Sequence, residues 1–327
     1  MESLVRIDNL KKYFKIEKGL LKKKTINVKA VDNIELEIYK GETFGLVGES
    51  GSGKTTVARL LLNFTKPTTN TIYFDGIDIF NCSKSELSQL RKRIGVVFQD
   101  PAASLNPRST IYDTLRRPLE VNNVDKSQID TIIKEIMSNV NLGDELLSRY
   151  PHQLSGGQQQ RVSVARSIIL KPDFLVLDEP TSALDISVQA QVLNLLLDIQ
   201  KKYDMTYLFI SHNLSVVRYI SDRIGVMYLG KIVEIGTVEQ IYKNTLHPYT
   251  VGLLTSEPAL SPKDRDKNKL ILEGEAPSMM KEIKGCNLSN RCPFKKDLCD
   301  LEEPKLVEIE KGHRAACHFA GELEFKY

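Results

Sequence analysis

The chain has 327 residues, 41% of them hydrophobic and 27% charged, with a formal net charge of +3. A single core stops growing near this length, so one large α/β domain with a smaller appendage is expected. The charge balance is too even to argue for a nucleic-acid partner, and apolar stretches such as 174–177 and 192–197 fall far short of the roughly 18 residues a membrane span needs. The start, Met1-Glu2-Ser3-Leu4-Val5, lacks a basic region followed by an apolar core, so no secretory signal and a cytoplasmic setting are expected. In that compartment the five cysteines are expected as thiols or metal ligands before disulfides.

Residues 4–8 and 34–38 read as short strands. Between them lies a basic run, Lys11, Lys12, Lys15, Lys18, Lys22, Lys23 and Lys24, which reads as a solvated loop, with contact to phosphates, a partner or a membrane surface as the alternatives. Tyr13 and Phe14 inside it each offer a ring face to a nucleotide base.

The apolar run 44–47 reads as a buried strand, and Gly48-Glu49-Ser50-Gly51-Ser52-Gly53-Lys54-Thr55 after it fits G-x-x-x-x-G-K-[ST], the phosphate-binding loop. Gly48, Gly51 and Gly53 let successive backbone N–H groups turn inward, and the helix opening near Lys54 adds its positive end to the same point. The ligand expected is a polyphosphate. Lys54 would reach its β- and γ-phosphates and the Thr55 hydroxyl would ligate Mg²⁺, with Thr56 the less favoured ligand.

Apolar positions over 54–64 predict a helix that stops at Lys66-Pro67. Residues 71–74 alternate, 83–90 are helical in pattern, and 94–98 form another buried strand ending at Gln99, a side chain placed to touch a metal or an attacking water. Residues 110–150 break the strand and helix alternation and read as an inserted helical subdomain. Leu154-Ser155-Gly156-Gly157-Gln158 then opens a helix running through Ile169, a second helix start able to face an anion.

Phe174-Leu175-Val176-Leu177-Asp178-Glu179 puts two carboxylates at the carboxyl edge of a central strand. Asp178 would hold Mg²⁺ through water, and Glu179 would polarise the water that attacks a γ-phosphate. A loop at 182–185, a helix over 187–202 and the strand 207–210 follow. That strand is expected beside the Asp178 strand, which directs His212 at its end to the γ-phosphate. Strands at 224–229 and 232–235 precede a helical stretch to about Leu254, and beyond Glu257 the composition shifts to Pro258, Pro262 and charge, the mark of a linker.

Taken together, the loop at 48–55, Gln99, Leu154-Ser155-Gly156-Gly157-Gln158, Asp178-Glu179, the loop at 182–185 and His212 resemble the ATP-binding subunit of an ATP-binding-cassette (ABC) transporter, in that family's order. The resemblance implies a P-loop NTPase of ABC type over 1–256, with its helical subdomain at about 105–165, and a small C-terminal extension over 257–327. It implies ATP held by Gly48, Ser50, Gly51, Ser52, Gly53, Lys54, Thr55 and Thr56, and Mg²⁺ held by Thr55, Gln99 and Asp178. Glu179, His212 and Gln99 would serve hydrolysis. Two cassettes would pair head to tail, with Ser155, Gly157 and Gln158 meeting nucleotide in trans, and Phe14 rather than Tyr13 would stack on adenine.

Phe98-Gln99-Asp100-Pro101, Ser104-Leu105-Asn106-Pro107-Arg108, the run from Ser182 to Asn194, and His247-Pro248-Tyr249-Thr250 look like the oligopeptide and dipeptide importer branch. Lys12-Tyr13-Phe14 and Val226-Met227-Tyr228-Leu229-Gly230 are more similar to its F-type than its D-type ATPase. The implied assembly holds a second, D-type ATPase, two transmembrane permeases and an external substrate-binding protein, with this chain peripheral on the cytoplasmic face of the membrane and no nucleic acid involved. Nickel and oligosaccharide importers are relatives, so those cargoes stay open beside peptides. A soluble cassette acting on DNA would need a long coiled-coil insertion and a ribosomal one two cassettes, and neither is present; an inactive cassette is opposed by Lys54, Gln99, Glu179 and His212.

Cys286, Cys292, Cys299 and Cys317 are spaced C-x5-C-x6-C-x17-C, which suggests one metal centre. Spacing alone does not choose between zinc, an iron-sulfur cluster and unliganded thiols. Related peptide-importer ATPases carry a similar tail holding an iron-sulfur cluster, so the resemblance implies that group here. His313 and His318 are secondary ligand candidates, and Cys82 is expected as an ordinary small residue.

Overall fold

The computed structural model describes residues 2–18, 24–256, 270–280 and 283–325. In chain order the elements are β1 (Ser3–Lys18), β2 (Lys24–Tyr39), β3 (Thr43–Val47), α1 (Lys54–Leu61), β4 (Thr69–Phe74), β5 (Ile77–Asp78), α2 (Lys84–Arg93), β6 (Ile94–Val97), α3 (Pro101–Ser104), α4 (Ile111–Val121), α5 (Lys126–Asn139), α6 (Gly156–Ile168), β7 (Phe174–Asp178), α7 (Ile186–Tyr203), β8 (Thr206–Ser211), α8 (Leu214–Ile220), β9 (Arg223–Tyr228), β10 (Lys231–Thr237), α9 (Val238–Lys243), α10 (Pro248–Ser256), α11 (Leu298–Leu301), β11 (Val307–Glu310) and β12 (His313–Ala315). Among the described residues no helix is long and apolar enough to cross a membrane.

The chain divides into two compact units, the first built from Met1–Ser3, Ile38–Thr43 and Asn81–Ile210, the second from Leu4–Glu37, Phe44–Phe80 and Ser211–Tyr327. In the first unit β6, β7 and β8 run parallel, with Val97 opposite Leu177 and Asp178 opposite Ile210. Every residue of β7 and β8 is buried, which is why both read as unbroken apolar runs: helices cover both faces of a parallel sheet. The helices between β6 and β7 form the expected helical region, where α6 packs on α3, α4 and α5 through a fully buried layer including Leu115, Ile133, Ile136, Met137 and Val162. Each helix start is fixed locally: the Thr110 hydroxyl accepts the Asp113 N–H at 3.1 Å, and Asp125 accepts that of Ser127 at 2.9 Å.

In the second unit β3 runs parallel to β9, and β10, β12 and β11 continue outward by antiparallel pairing. A second sheet has the order β2-β1-β4-β5. The basic run corrects the expected loop: Lys11, Lys12 and Lys15 lie on β1, which extends to Lys18, while Lys22 and Lys23 fall outside the described residues. A bulge between Asp8 and Lys11 shifts the register against β4, and the outward lysines then occupy a solvent-facing stretch of strand, where charge is well tolerated.

The helical stretch after β10 is two helices, because the Glu234 carboxylate accepts the amides of Leu246 (2.8 Å) and His247 (3.2 Å) just before α10. Glu234 is fully buried and also meets His313 Nε2 at 2.9 Å, so this buried carboxylate is satisfied on every side that the fold presents. His313 sits on β12, whose pairing with β10 places Ala315 opposite Glu234. Residues 307–315 thus add β11 and β12 to the sheet that carries β9 and β10.

Candidate functional site

The five buried residues of β3 deliver the phosphate loop. Gly48 (φ 153) and Gly53 (φ 111) hold backbone that side chains rarely adopt. A Cβ on either would lie 2.1 Å from the Met227 carbonyl oxygen or 2.2 Å from that of Ala30, so nothing larger fits. Gly53 precedes α1 without any side-chain cap.

Lys54 is 5% exposed, and its Nζ donates to the carbonyls of Gly48 (2.7 Å) and Glu49 (2.9 Å) and to Ser52 Oγ (3.4 Å). The ammonium therefore sits inside the loop, encircled by it. Ser52 is buried, while Ser50, Gly51 and Thr55 are exposed and Thr56 is half-buried. On β1 the Phe14 ring is 41% exposed, with Lys12 Nζ 5.0 Å from its centre. Tyr13 is engaged instead: its hydroxyl donates to Asp32 and its backbone N–H to Thr68 Oγ1 at 2.9 Å. Burial beside the Asp32 carboxylate holds the Tyr13 hydroxyl well above its ordinary pKa. His212, exposed, follows directly on β8.

In the first unit Gln99 follows β6 and Glu179 follows β7, and the structure brings them together: Gln99 Nε2 donates to Glu179 Oε2 at 3.0 Å. Glu179 adopts left-handed backbone (φ 49), uncommon for glutamate. Its N–H donates to the Ile210 carbonyl at 2.9 Å, and its own carbonyl accepts the Ser182 hydroxyl at 3.1 Å, so the strained turn is pinned from both sides. Asp178, the last residue of β7, is 9% exposed.

Ser155 and Gln158 form a capping box on α6: Ser155 Oγ accepts the Gln158 N–H at 3.3 Å, and Gln158 Oε1 accepts the Ser155 N–H at 3.0 Å. A Cβ on Gly157 would lie 2.6 Å from Val188 Cγ1 of α7, so helix packing alone already demands glycine there. Asp185 caps α7 through the Val188 N–H at 2.9 Å, a bond that holds its carboxyl below the usual range.

Cys286, Cys292, Cys299 and Cys317 line one small cavity together with His247, Pro248 and His318. Among the described residues no group of three or more His, Cys, Asp or Glu is arranged to hold a metal ion, so this geometry lends the expected metal centre no support. Burial pushes the Cys286 thiol up to about 12 and Cys292 up to about 11, and raises Cys317 as well. Both histidines are used elsewhere, His313 by Glu234 and His318 by the Glu302 carbonyl at 2.9 Å. Cys82 stands apart from this cavity.

Two residues beside the phosphate loop carry no expected role above: Arg291 does not figure there, and Tyr249 figures only within His247-Pro248-Tyr249-Thr250. The Tyr249 hydroxyl accepts the Glu49 N–H at 2.9 Å, and Arg291 forks onto the Glu49 carboxylate at 3.3 Å. No local pattern signals them, because Arg291 lies 242 residues from its partner.

Residues 31–182 match the family model described as ABC transporter, and residues 233–299 match Oligopeptide/dipeptide transporter, C-terminal region. The chain is 45% identical to the oligopeptide transport ATP-binding protein AppF of Bacillus subtilis, over 97% of each chain. It is 41% identical to the di/tripeptide transport ATP-binding protein DppF of Pseudomonas aeruginosa, over 98% of each. Among solved structures it is similar to the ABC cassette MJ0796 in a dimeric post-hydrolysis state with ADP and Pi (TM-score 0.63, 28% identity, 72% of this chain and 98% of that one). The ABC transporter component cbiO1 of Clostridium perfringens matches equally well (TM-score 0.63, 25% identity, 75% and 93%). The chain belongs to the ATP-binding subunits of ABC transporters, in their oligopeptide/dipeptide branch, and is an ATPase of that family.

Proposed function

We propose that this chain hydrolyses ATP to power uptake of oligopeptides or dipeptides, working on the cytoplasmic face of a membrane. Its partners in this reading are a second, D-type ATPase, two permeases and, through them, an external substrate-binding protein. The observation that carries the catalytic part is the Gln99 to Glu179 hydrogen bond at the ends of neighbouring parallel strands, which orients the one carboxylate needed to polarise water. Support for the cargo comes from the names of relatives that match from end to end, tail included.

In this reading Lys54 with Gly48, Ser50, Gly51, Ser52, Gly53, Thr55 and Thr56 would hold the phosphates, Phe14 would offer its face to adenine, and Thr55, Asp178 and Gln99 would be the ligands of Mg²⁺. Mg²⁺ when bound neutralises charge on the phosphate oxygens. His212 steadies the γ-phosphate, and Ser155, Gly157 and Gln158 meet the nucleotide held by a partner cassette, which excludes water from it. The cassette spans 1–256 and the extension 257–327.

The test is co-purification from the native membrane, followed by ATPase assay with binding protein loaded with peptide, nickel or oligosaccharide. Two permeases, a second cassette and peptide-stimulated turnover are the expected result. Stimulation by nickel or oligosaccharide alone would replace the cargo, and soluble or ribosomal partners would overturn the importer.

We further infer that the four tail thiols hold an iron-sulfur cluster. What supports it is the donor set: four sulfurs round one cavity, with His313 bonded to Glu234 and His318 to the Glu302 carbonyl. Because burial raises the pKa of the Cys286 and Cys292 thiols, loading must release protons. Anaerobically purified protein is expected to contain iron and acid-labile sulfide in about equal amounts; zinc alone would overturn the inference.

A further inference from the structure

Glu49, the second residue of the phosphate loop, is tied at every polar group. Its carbonyl accepts Lys54 Nζ (2.9 Å) and the Ser52 N–H (3.1 Å), and its N–H donates to the Tyr249 hydroxyl (2.9 Å). Its carboxylate accepts Arg291 Nη1 at 3.3 and 3.4 Å and Nη2 at 3.3 Å. Tyr249 and Tyr228 are buried with ring centres 4.4 Å apart, and Arg291 Nη1 also meets the Tyr228 hydroxyl at 3.4 Å. The Arg291 side chain is 10% exposed and that of Glu49 33%, so the pair is sheltered from the screening that cancels surface ion pairs.

Both anchors lead to the thiol cavity. Arg291 adjoins Cys292, and its N–H donates to the Leu288 carbonyl at 2.8 Å, within a turn where Ser289 N–H meets the Cys286 carbonyl at 3.0 Å and Cys286 N–H that of Cys299 at 2.7 Å. Gly285 (φ 73) opens that turn, and a Cβ there would lie 2.4 Å from the Cys299 carbonyl oxygen. Tyr249 follows His247 and Pro248, which line the same cavity as the four cysteines. Two separate routes therefore run from one cavity wall to one loop residue, and the carbonyl of that residue holds the phosphate-binding lysine.

We propose that Arg291 and Tyr249 are positioning residues of the phosphate loop, through which the cysteine-framed turn at 286–299 sets nucleotide affinity. The proposal rests on the ATP reading above. A loop pre-set around Lys54 loses less freedom when phosphate arrives, whereas a loop released at Glu49 must be ordered by the ligand. Coupling of this kind is reciprocal: nucleotide bound at the loop steadies the turn to the same extent.

The experiment titrates the full-length chain with a fluorescent ADP analogue, with thermal unfolding and amide hydrogen exchange measured in parallel. Arg291→Ala is expected to weaken ADP about tenfold, the size associated with losing a charge-assisted forked pair, and Arg291→Lys to recover part of it, since lysine keeps the charge without the fork. Glu49→Gln breaks the same link from the loop side without touching the tail, so the question stays answerable even where Arg291→Ala fails to fold. The double variant should be no weaker than Arg291→Ala alone, and ADP should slow exchange over 286–292 in the unaltered chain but not in Arg291→Ala. If Arg291 merely docks the tail, its loss lowers the unfolding temperature while ADP affinity stays at the unaltered value, and that result overturns the proposal, as do additive effects in the cycle. An unaltered chain that takes no ADP overturns the ATP reading, and this proposal with it.

Discussion

Glu179→Gln in the assembled transporter is expected to slow ATP hydrolysis by at least about a hundredfold while leaving ATP binding near its normal level. The substitution is isosteric, so the left-handed turn, with its N–H on the Ile210 carbonyl and its carbonyl on Ser182, has no steric reason to move. What changes is the group facing Gln99 Nε2 at 3.0 Å, from a carboxylate that accepts a proton or orients water to an amide that does so poorly. A hundredfold loss corresponds to about 2.7 kcal/mol of transition-state stabilisation, within the range for a positioned base. Single-turnover hydrolysis alongside equilibrium ATP binding separates the two effects. Turnover within a few-fold of normal would remove Glu179 from the chemistry.

The Gln99 to Glu179 contact also shows what a sequence can disclose. Runs 44–47, 174–177 and 207–210 were readable as strands because parallel strands covered on both faces have no polar alternation to confuse them, and β3, β7 and β8 are buried throughout. Glu179, at the end of β7, follows automatically; Gln99 follows β6, which is only half-buried at Ile94 and Val96, and was legible from its apolar run all the same. The basic run after Leu10 was misread because lysines on a solvent-facing strand carry the same composition as a loop, and the bulge between Asp8 and Lys11 breaks the alternation that would have told them apart.

Contacts between distant segments were not legible at all. His313 was a candidate ligand from its position near the cysteines, yet β12 carries it to Glu234, 79 residues away in sequence. The same Glu234 splits the helical stretch by capping α10, an effect no local propensity encodes. The cysteines were legible as a group by spacing, but whether they converge on a point or surround a cavity depends on turns such as the one at Gly285, whose partner Cys299 lies farther along the chain.

Lys54→Ala is expected to act at an earlier step, weakening nucleotide binding by about two powers of ten, since a hydrogen bond from a charged donor to phosphate contributes up to about 3 kcal/mol and each tenfold is about 1.4 kcal/mol. Two losses combine in that figure. The first is the cation itself at the phosphates. The second is internal: Lys54 Nζ is bonded to the carbonyls of Gly48 and Glu49, so its removal takes a donor from the buried Gly48 carbonyl, leaves the Glu49 carbonyl with the Ser52 N–H alone, and leaves the loop without its central tie. Lys54→Arg separates them. Arginine restores charge, but its planar fork does not reproduce a compact ammonium enclosed at 5% exposure by the loop backbone. The loop's glycines, held within 2.1 Å of Met227 and 2.2 Å of Ala30 when given a Cβ, have no room to widen around it. Lys54→Arg should therefore bind nearly as poorly as Lys54→Ala in an equilibrium titration with ADP. If it binds like the unaltered chain, charge alone is what the loop requires and the enclosure of the ammonium is incidental.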